Sequence, residues 1–124
     1  MSEVKTPTLV DISYHKKSKV LELSFDNDES FNLTAEYLRV YSPSAEVRGH
    51  SPETATLQMG KGDIEIEGIQ PVGNYAVILR FDDNHDTGIY SWDYLYKLGK
   101  NYNVLWPDYL ERLEEAGGKR RPDS

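Results

Sequence analysis

A chain of 124 residues is long enough for one domain around a single hydrophobic core. Its 38% apolar and 28% charged residues suit a folded globular protein, and the absence of cysteine excludes disulfides, thiol catalysis, iron–sulfur ligation and cysteine-type zinc sites. The net charge of −7, from 14 basic and 21 acidic residues, argues against nucleic-acid binding through a broad basic face. No apolar run approaches membrane-spanning length, and Met1–Pro7 lacks the apolar stretch of a signal peptide, so a cytoplasmic protein with no membrane partner is expected.

Residues 1–7 read as a disordered lead-in. Thr8 to Tyr14 alternates around Leu9, Val10 and Ile12 and predicts a strand. Val20 to Phe25 alternates more cleanly, with Leu21, Leu23 and Phe25 on one face, and Ser30 to Leu33 makes a third strand after the Asp26–Glu29 turn. Thr34 is placed to cap a helix over Ala35 to Val40, whose Leu38 and Val40 should meet the sheet; Pro43 ends it. Residues 42–62 read as a long loop, with one helical turn possible at Ser51-Pro52-Glu53.

Asp63 to Gln70 predicts a strand broken at Gly68, and Tyr75 to Phe81 the most apolar, central strand. The Pro71–Asn74 turn between them makes a hairpin in which Gly73 and Asn74 can both take positive φ. A helix is predicted over Tyr90 to Leu98, capped by Asp86 or Thr87 and ended by Gly99. A last helix runs from Trp106 to Ala116, with Pro107 in its first turn and Leu110 and Leu113 on one face, stopped by Gly117-Gly118. The expected architecture is α+β: a mainly antiparallel β-sheet, meander plus hairpin, with a short helix and two C-terminal helices packed on it. One domain spans residues 8–116, followed by a disordered basic tail over 117–124.

Chemistry concentrates between the central strand and the following helix. Asp82, Asp83, His85 and Asp86 lie within five residues, and carboxylates with an imidazole can hold a divalent cation or act as acid and base. The plainer account is a strand-to-helix link, since Asp, Asn and Gly are ordinary turn formers. His15, His50 and His85 would make a metal site only if folding gathered them. Tyr90, Trp92, Tyr94, Tyr96, Tyr102, Trp106 and Tyr109 suit either a core face or a partner surface. Arg39, Arg48 and Arg80 can form an anion pocket or separate salt bridges. No phosphate-loop, dinucleotide, nucleophile-elbow or H-E-x-x-H motif is present.

Three stretches together resemble a known family: Leu38-Arg-Val-Tyr-Ser-Pro-Ser-Ala-Glu-Val-Arg-Gly-His50, Ile69-Gln-Pro-Val-Gly-Asn-Tyr-Ala-Val77, and Phe81-Asp-Asp-Asn-His-Asp-Thr-Gly-Ile-Tyr-Ser-Trp-Asp-Tyr-Leu95. Over about residues 8–100 the chain resembles the small bacterial domain related to the N-terminal domain of gamma-butyrobetaine hydroxylase, largely of unknown function when it stands alone. In the hydroxylases this domain precedes the iron(II)/2-oxoglutarate catalytic domain and carries a structural zinc held by three cysteines and one histidine. His85 falls at the position of that histidine; Ser42, Ser44 and Val47 are the nearest counterparts of the cysteines. The resemblance therefore implies a degenerate zinc site, no cofactor, and Asn84 in place of the usual turn glycine. A similar domain fused to ATPases that carry iron–sulfur clusters implies, by analogy, an accessory role near metallocluster or iron-enzyme systems.

The expectation is a non-catalytic accessory domain that binds a protein partner through Asp83, Asn84, His85, Asp86, Tyr90, Trp92 and Tyr94 and the 42–62 loop, as a monomer or weak homodimer through the aromatic helices. The alternative is a metal-binding protein or metal-dependent small-molecule enzyme built on Asp82–Asp86, with His85 and Asp83 as ligands.

Overall fold

The structure is a computed structural model that describes residues 7–44, 57–58 and 60–120. Two three-stranded antiparallel sheets form it. The first orders β1 (Leu9–His15), β2 (Val20–Phe25) and β3 (Ser30–Thr34); the second orders β4 (Ile66–Val72), β5 (Ala76–Phe81) and β6 (Ile89–Ser91). Helix α1 (Ala35–Val40) follows β3, and α2 (Trp92–Lys100) and α3 (Tyr102–Glu115) close the chain. The predicted α+β architecture is present, with two sheets in place of one.

Alternation decides the faces. Leu21, Leu23 and Phe25 of β2 and Val77, Leu79 and Phe81 of β5 all point into one core, joined by Leu33, Leu38, Tyr90, Leu95 and Leu98. Thr34 caps α1 as expected, its hydroxyl accepting from Tyr37 N at 3.1 Å. All six residues of α1 are buried, so the helix is a core element and not a surface one. Val40 leaves the sheets and joins Tyr109 and Leu113 in a second, smaller cluster with α3.

Four boundaries differ from the sequence reading. In the β4–β5 hairpin the ladder runs on through Pro71↔Val77 and Val72↔Ala76, so the turn is Gly73–Tyr75 and only Gly73 takes positive φ. The expected break at Gly68 is a register shift between Ile66 and Gly68 that leaves Glu67 unpaired, a bulge. Residues 89–91 form β6, which pairs with the free edge of β5, so α2 begins at Trp92 with Ser91 as its cap and not Asp86 or Thr87. Helix α3 starts at Tyr102, four residues before the predicted start, because Tyr102 and Trp106 both pack on Tyr37, at 5.0 and 6.1 Å between ring centroids. Pro107 is thereby inside the helix, and the buried pair on its inner face is Tyr109 and Leu113, with Leu110 turned out.

Gly99 does not end α2. It sits one residue before the last, where a Cβ would fall 2.6 Å from Phe31 Cδ2. Phe31 is itself wedged edge-on against Phe25 and Tyr96, at 5.9 and 5.8 Å. Gly99→Ala is therefore expected to destabilise by about 1–3 kcal/mol through overpacking, although alanine favours a helix by roughly 1 kcal/mol over glycine. Thermal unfolding decides between the two effects, and an unchanged or raised midpoint would refute the packing account.

Beyond α3 the chain makes specific contacts over Gly117–Arg120. Gly117 has φ +68° and the Gly118 amide donates to Leu113 O while that of Gly117 donates to Glu114 O, the two bonds of a Schellman cap. Lys119 O and Arg120 O then accept from Gly60 N and Gly62 N at 2.7 and 2.6 Å. The Arg120 guanidinium grips buried Glu36 of α1 at 2.6 and 2.9 Å and lies over the Trp106 ring. Residues 121–124 and the predicted turn at Ser51–Glu53 lie outside the described residues.

Candidate functional site

The stretch between β5 and β6 is shaped from within. Asn84 adopts φ +68°, a left-handed conformation that asparagine tolerates, and the Asn84 amide donates to Phe81 O while the Phe81 amide donates to His85 O. Asp83 Oδ1 accepts from the His85 amide at 3.2 Å, tightening the reversal. The turn swings the His85 imidazole inward, leaving it 4% exposed.

There His85 Nε2 lies 2.8 Å from the Oγ of Ser42, a fully buried residue just after α1. Ser42 Oγ also accepts from the Ser44 amide at 3.2 Å, and Ser44 Oγ lies 2.6 Å from Thr87 Oγ1. Two hydroxyl-centred contacts therefore tie the exit of α1 to the acidic turn. Gly88 makes room for them, since a Cβ there would fall 2.5 Å from Ser42 Oγ.

A second tie is ionic. Asp83 Oδ2 accepts from Arg39 Nε of α1 at 2.9 Å and from Lys61 Nζ at 2.7 Å. Arg39 is 7% exposed, so its guanidinium is a buried charge whose counter-ion is Asp83. Burial pushes the Asp83 carboxyl up, but the hydrogen bond and charge of Lys61 and the charge and hydrogen bond of Arg39 outweigh it and hold it below the ordinary aspartate range. Among the described residues Arg39 Nη1 is buried without an acceptor.

The expected site residues therefore scatter. His85 and Tyr90 are inside: Tyr90 is fully buried, donates from its hydroxyl to Leu38 O at 2.6 Å, and has its phenol pushed up by burial. Both were expected on a partner surface, and both side chains are buried. Trp92 and Tyr94 are half-buried, Trp92 Nε1 donating to Asn74 O and Tyr94 Oη to Tyr41 O. Asn84 and Asp86 are exposed. The four presumed metal ligands diverge, since Asp82 accepts from Glu65 N, Asp83 faces two cations, His85 faces Ser42, and Asp86 is on the outside. Among the described residues no group of three or more histidine, aspartate or glutamate side chains is gathered for a metal.

Of the three histidines, only His15 and His85 are among the described residues, and they have different partners, His85 facing Ser42. His15 pairs with Glu22 across the exposed face of the first sheet, and His50, Val47 and Arg48 lie outside the described residues. Arg39 and Arg80 form no joint anion pocket, because Arg39 faces Asp83 while Arg80 is on the outer face of the second sheet. The Arg39–Asp83–Lys61 group leaves no local pattern in the sequence, because Lys61 and Arg39 lie 22 and 44 residues from Asp83. The donors around His85 also do not fit a thiolate zinc site: Ser42 and Ser44 offer neutral hydroxyls, and the facing imidazole nitrogen is within hydrogen-bonding distance of Ser42.

Fold and site together define a small α+β domain whose strand-to-helix turn is fastened to a buried helix by a serine–histidine contact and an ion-pair triad. The chain belongs to the family described as gamma-butyrobetaine hydroxylase-like, N-terminal, whose model matches residues 12–96. One similar NMR solution structure shares 47% identity, covering 97% of this chain and 94% of that one, with a TM-score of 0.84. A second NMR structure shares 49% identity, covering 98% and 91%, with a TM-score of 0.82. A crystal structure of a protein of unknown function of the DUF971 family from Acidithiobacillus ferrooxidans shares 35% identity over 74% of this chain and 92% of that one, with a TM-score of 0.62. No protein of curated function matches the chain. Among the described residues no helix is long and apolar enough to cross a membrane.

Proposed function

We propose that this chain is a non-catalytic accessory domain that binds a protein partner beside the β5–β6 turn, and that it holds this turn together without zinc. The observation that carries the reading is the division of labour within the stretch. Asp83, His85 and Tyr90 serve interior contacts, whereas Ile89 and Tyr75 next to them are 50% and 57% exposed. Trp92, half-exposed, joins the two: its amide donates to Tyr75 O, and it directly follows β6. Ile89 pairs in register with Ile78 of β5, and so extends the apolar strip across the outer face of the sheet. Apolar and aromatic side chains grouped on a surface favour a protein partner over a soluble small molecule. The family resemblance supports a partner in a metallocluster or iron-enzyme system, by analogy alone.

A Tyr75→Ala, Ile89→Ser double variant tests the reading by affinity capture from the native host. The expected result is loss of a captured partner with stability changed by no more than about 0.5 kcal/mol per site, as for ordinary surface substitutions. The same partners on wild type and variant would sink the proposal.

A further inference from the structure

The outer face of the second sheet holds a cleft of about 350 Å³ whose lining includes Gly68, Gln70, Ile78, Arg80 and Asp86. Its volume is within the range of about 300–1,000 Å³ typical of ligand sites. Ile78 gives it an apolar wall, and Gln70, Arg80 and Asp86 are exposed at its opening. Arg80 and Asp86 carry opposite charges, yet among the described residues neither side chain makes a hydrogen bond or an ion pair, with each other or with a third group.

Arg80 is positioned there by the bulge in β4. Gly68 is its cross-strand partner, and a Cβ on Gly68 would come within 2.9 Å of Arg80 Nη2 and 3.3 Å of Nε. With no side chain at Gly68, the guanidinium lies down over the neighbouring backbone. A placed arginine fork is suited to a carboxylate.

The two charges together narrow the occupant. A purely acidic segment would meet Arg80 but face Asp86 and a domain of net charge −7. A purely basic segment would satisfy Asp86 and be repelled by Arg80. We propose that this cleft receives an extended segment of the partner protein carrying one acidic and one basic side chain two residues apart, the acid on Arg80 and the base on Asp86. Alternate side chains of an extended chain share a face at roughly 7 Å spacing, so one strand can present both. This inference rests on the protein-partner reading and names the chemistry of the partner; such a paired readout confers selectivity more than affinity.

The test is an NMR titration of the isotope-labelled full chain with the blocked peptide acetyl-Ser-Glu-Gly-Lys-Ser-amide and its neutral control acetyl-Ser-Gln-Gly-Gln-Ser-amide. Saturable shifts at Gly68, Gln70, Ile78, Arg80 and Asp86 with the charged peptide only, abolished in Arg80→Glu and diminished in Gly68→Ala, are the expected result. Gly68→Ala keeps every charge and displaces only the guanidinium. No shifts with the charged peptide, equal shifts with the control, or shifts that survive Arg80→Glu would overturn the proposal. If affinity capture is lost in the Tyr75/Ile89 variant but kept in Arg80→Glu, the charged cleft fails while the partner reading stands; if capture is unchanged in both, the partner reading fails with it.

Discussion

Asp83→Ala is expected to be the most damaging single change, at about 3–5 kcal/mol, because it strands the buried Arg39 guanidinium without a counter-ion. Lys61 loses its partner too, but it is more exposed and contributes less. The loss has a pH signature. The folded Asp83 carboxyl is held below its unfolded value of 3.8, so its contribution is fully present above that value and disappears as pH falls through the lower, folded one. Wild type and variant should therefore differ most near neutral pH and converge in acid. Equal unfolding free energies at pH 7, or a gap that widens on acidification, would contradict the ion-pair triad as the fastening of this turn.

His85→Ala should cost about 2–4 kcal/mol, combining a cavity beside Phe81 with the lost contact to Ser42. Ser42→Ala removes the hydroxyl but little volume and should cost about 1 kcal/mol. For a domain of this size each kcal/mol lowers the melting midpoint by roughly 3–6 °C. If the turn is held without metal, as proposed, a strong chelator leaves the wild-type midpoint where it was. A chelator-induced fall of several degrees, restored by zinc and absent in His85→Ala, would instead show that a metal contributes and that the hydroxyl–imidazole contact is not the whole fastening.

These two residues also show how unevenly the site could be read from the sequence. The turn itself was legible: acidic residues, an asparagine able to take positive φ, and a strand before it. The family resemblance links His85 to Ser42 and Ser44, and folding places Ser42 beside His85 and Ser44 beside the adjacent Thr87. What no local pattern could give was the direction in which the side chains face. Asp83 looked like a surface carboxylate, yet its partners come from 44 and 22 residues away. Tyr90 is the first residue of the helix predicted over Tyr90 to Leu98, but the open edge of β5 pairs with its backbone and makes it a strand residue.

The sequence by itself determined the elements whose cause is local. Alternation placed Leu21, Leu23 and Phe25 on the inner face of β2 because a strand has a period of two, and Thr34 marked the start of α1 because its hydroxyl meets a free amide within the same turn. The tertiary structure decided everything that depends on a distant neighbour. Gly99 stops nothing; it is a glycine because Phe31, from the distant strand β3, occupies the space of its Cβ. Helix α3 continues upstream of its proline because Tyr37 gives Tyr102 a ring to pack on. Arg120 is held because Glu36, buried in α1, pairs with its guanidinium. Period and capping act over a few residues and leave a mark in the sequence, whereas burial and charge pairing depend on which segments the fold brings together.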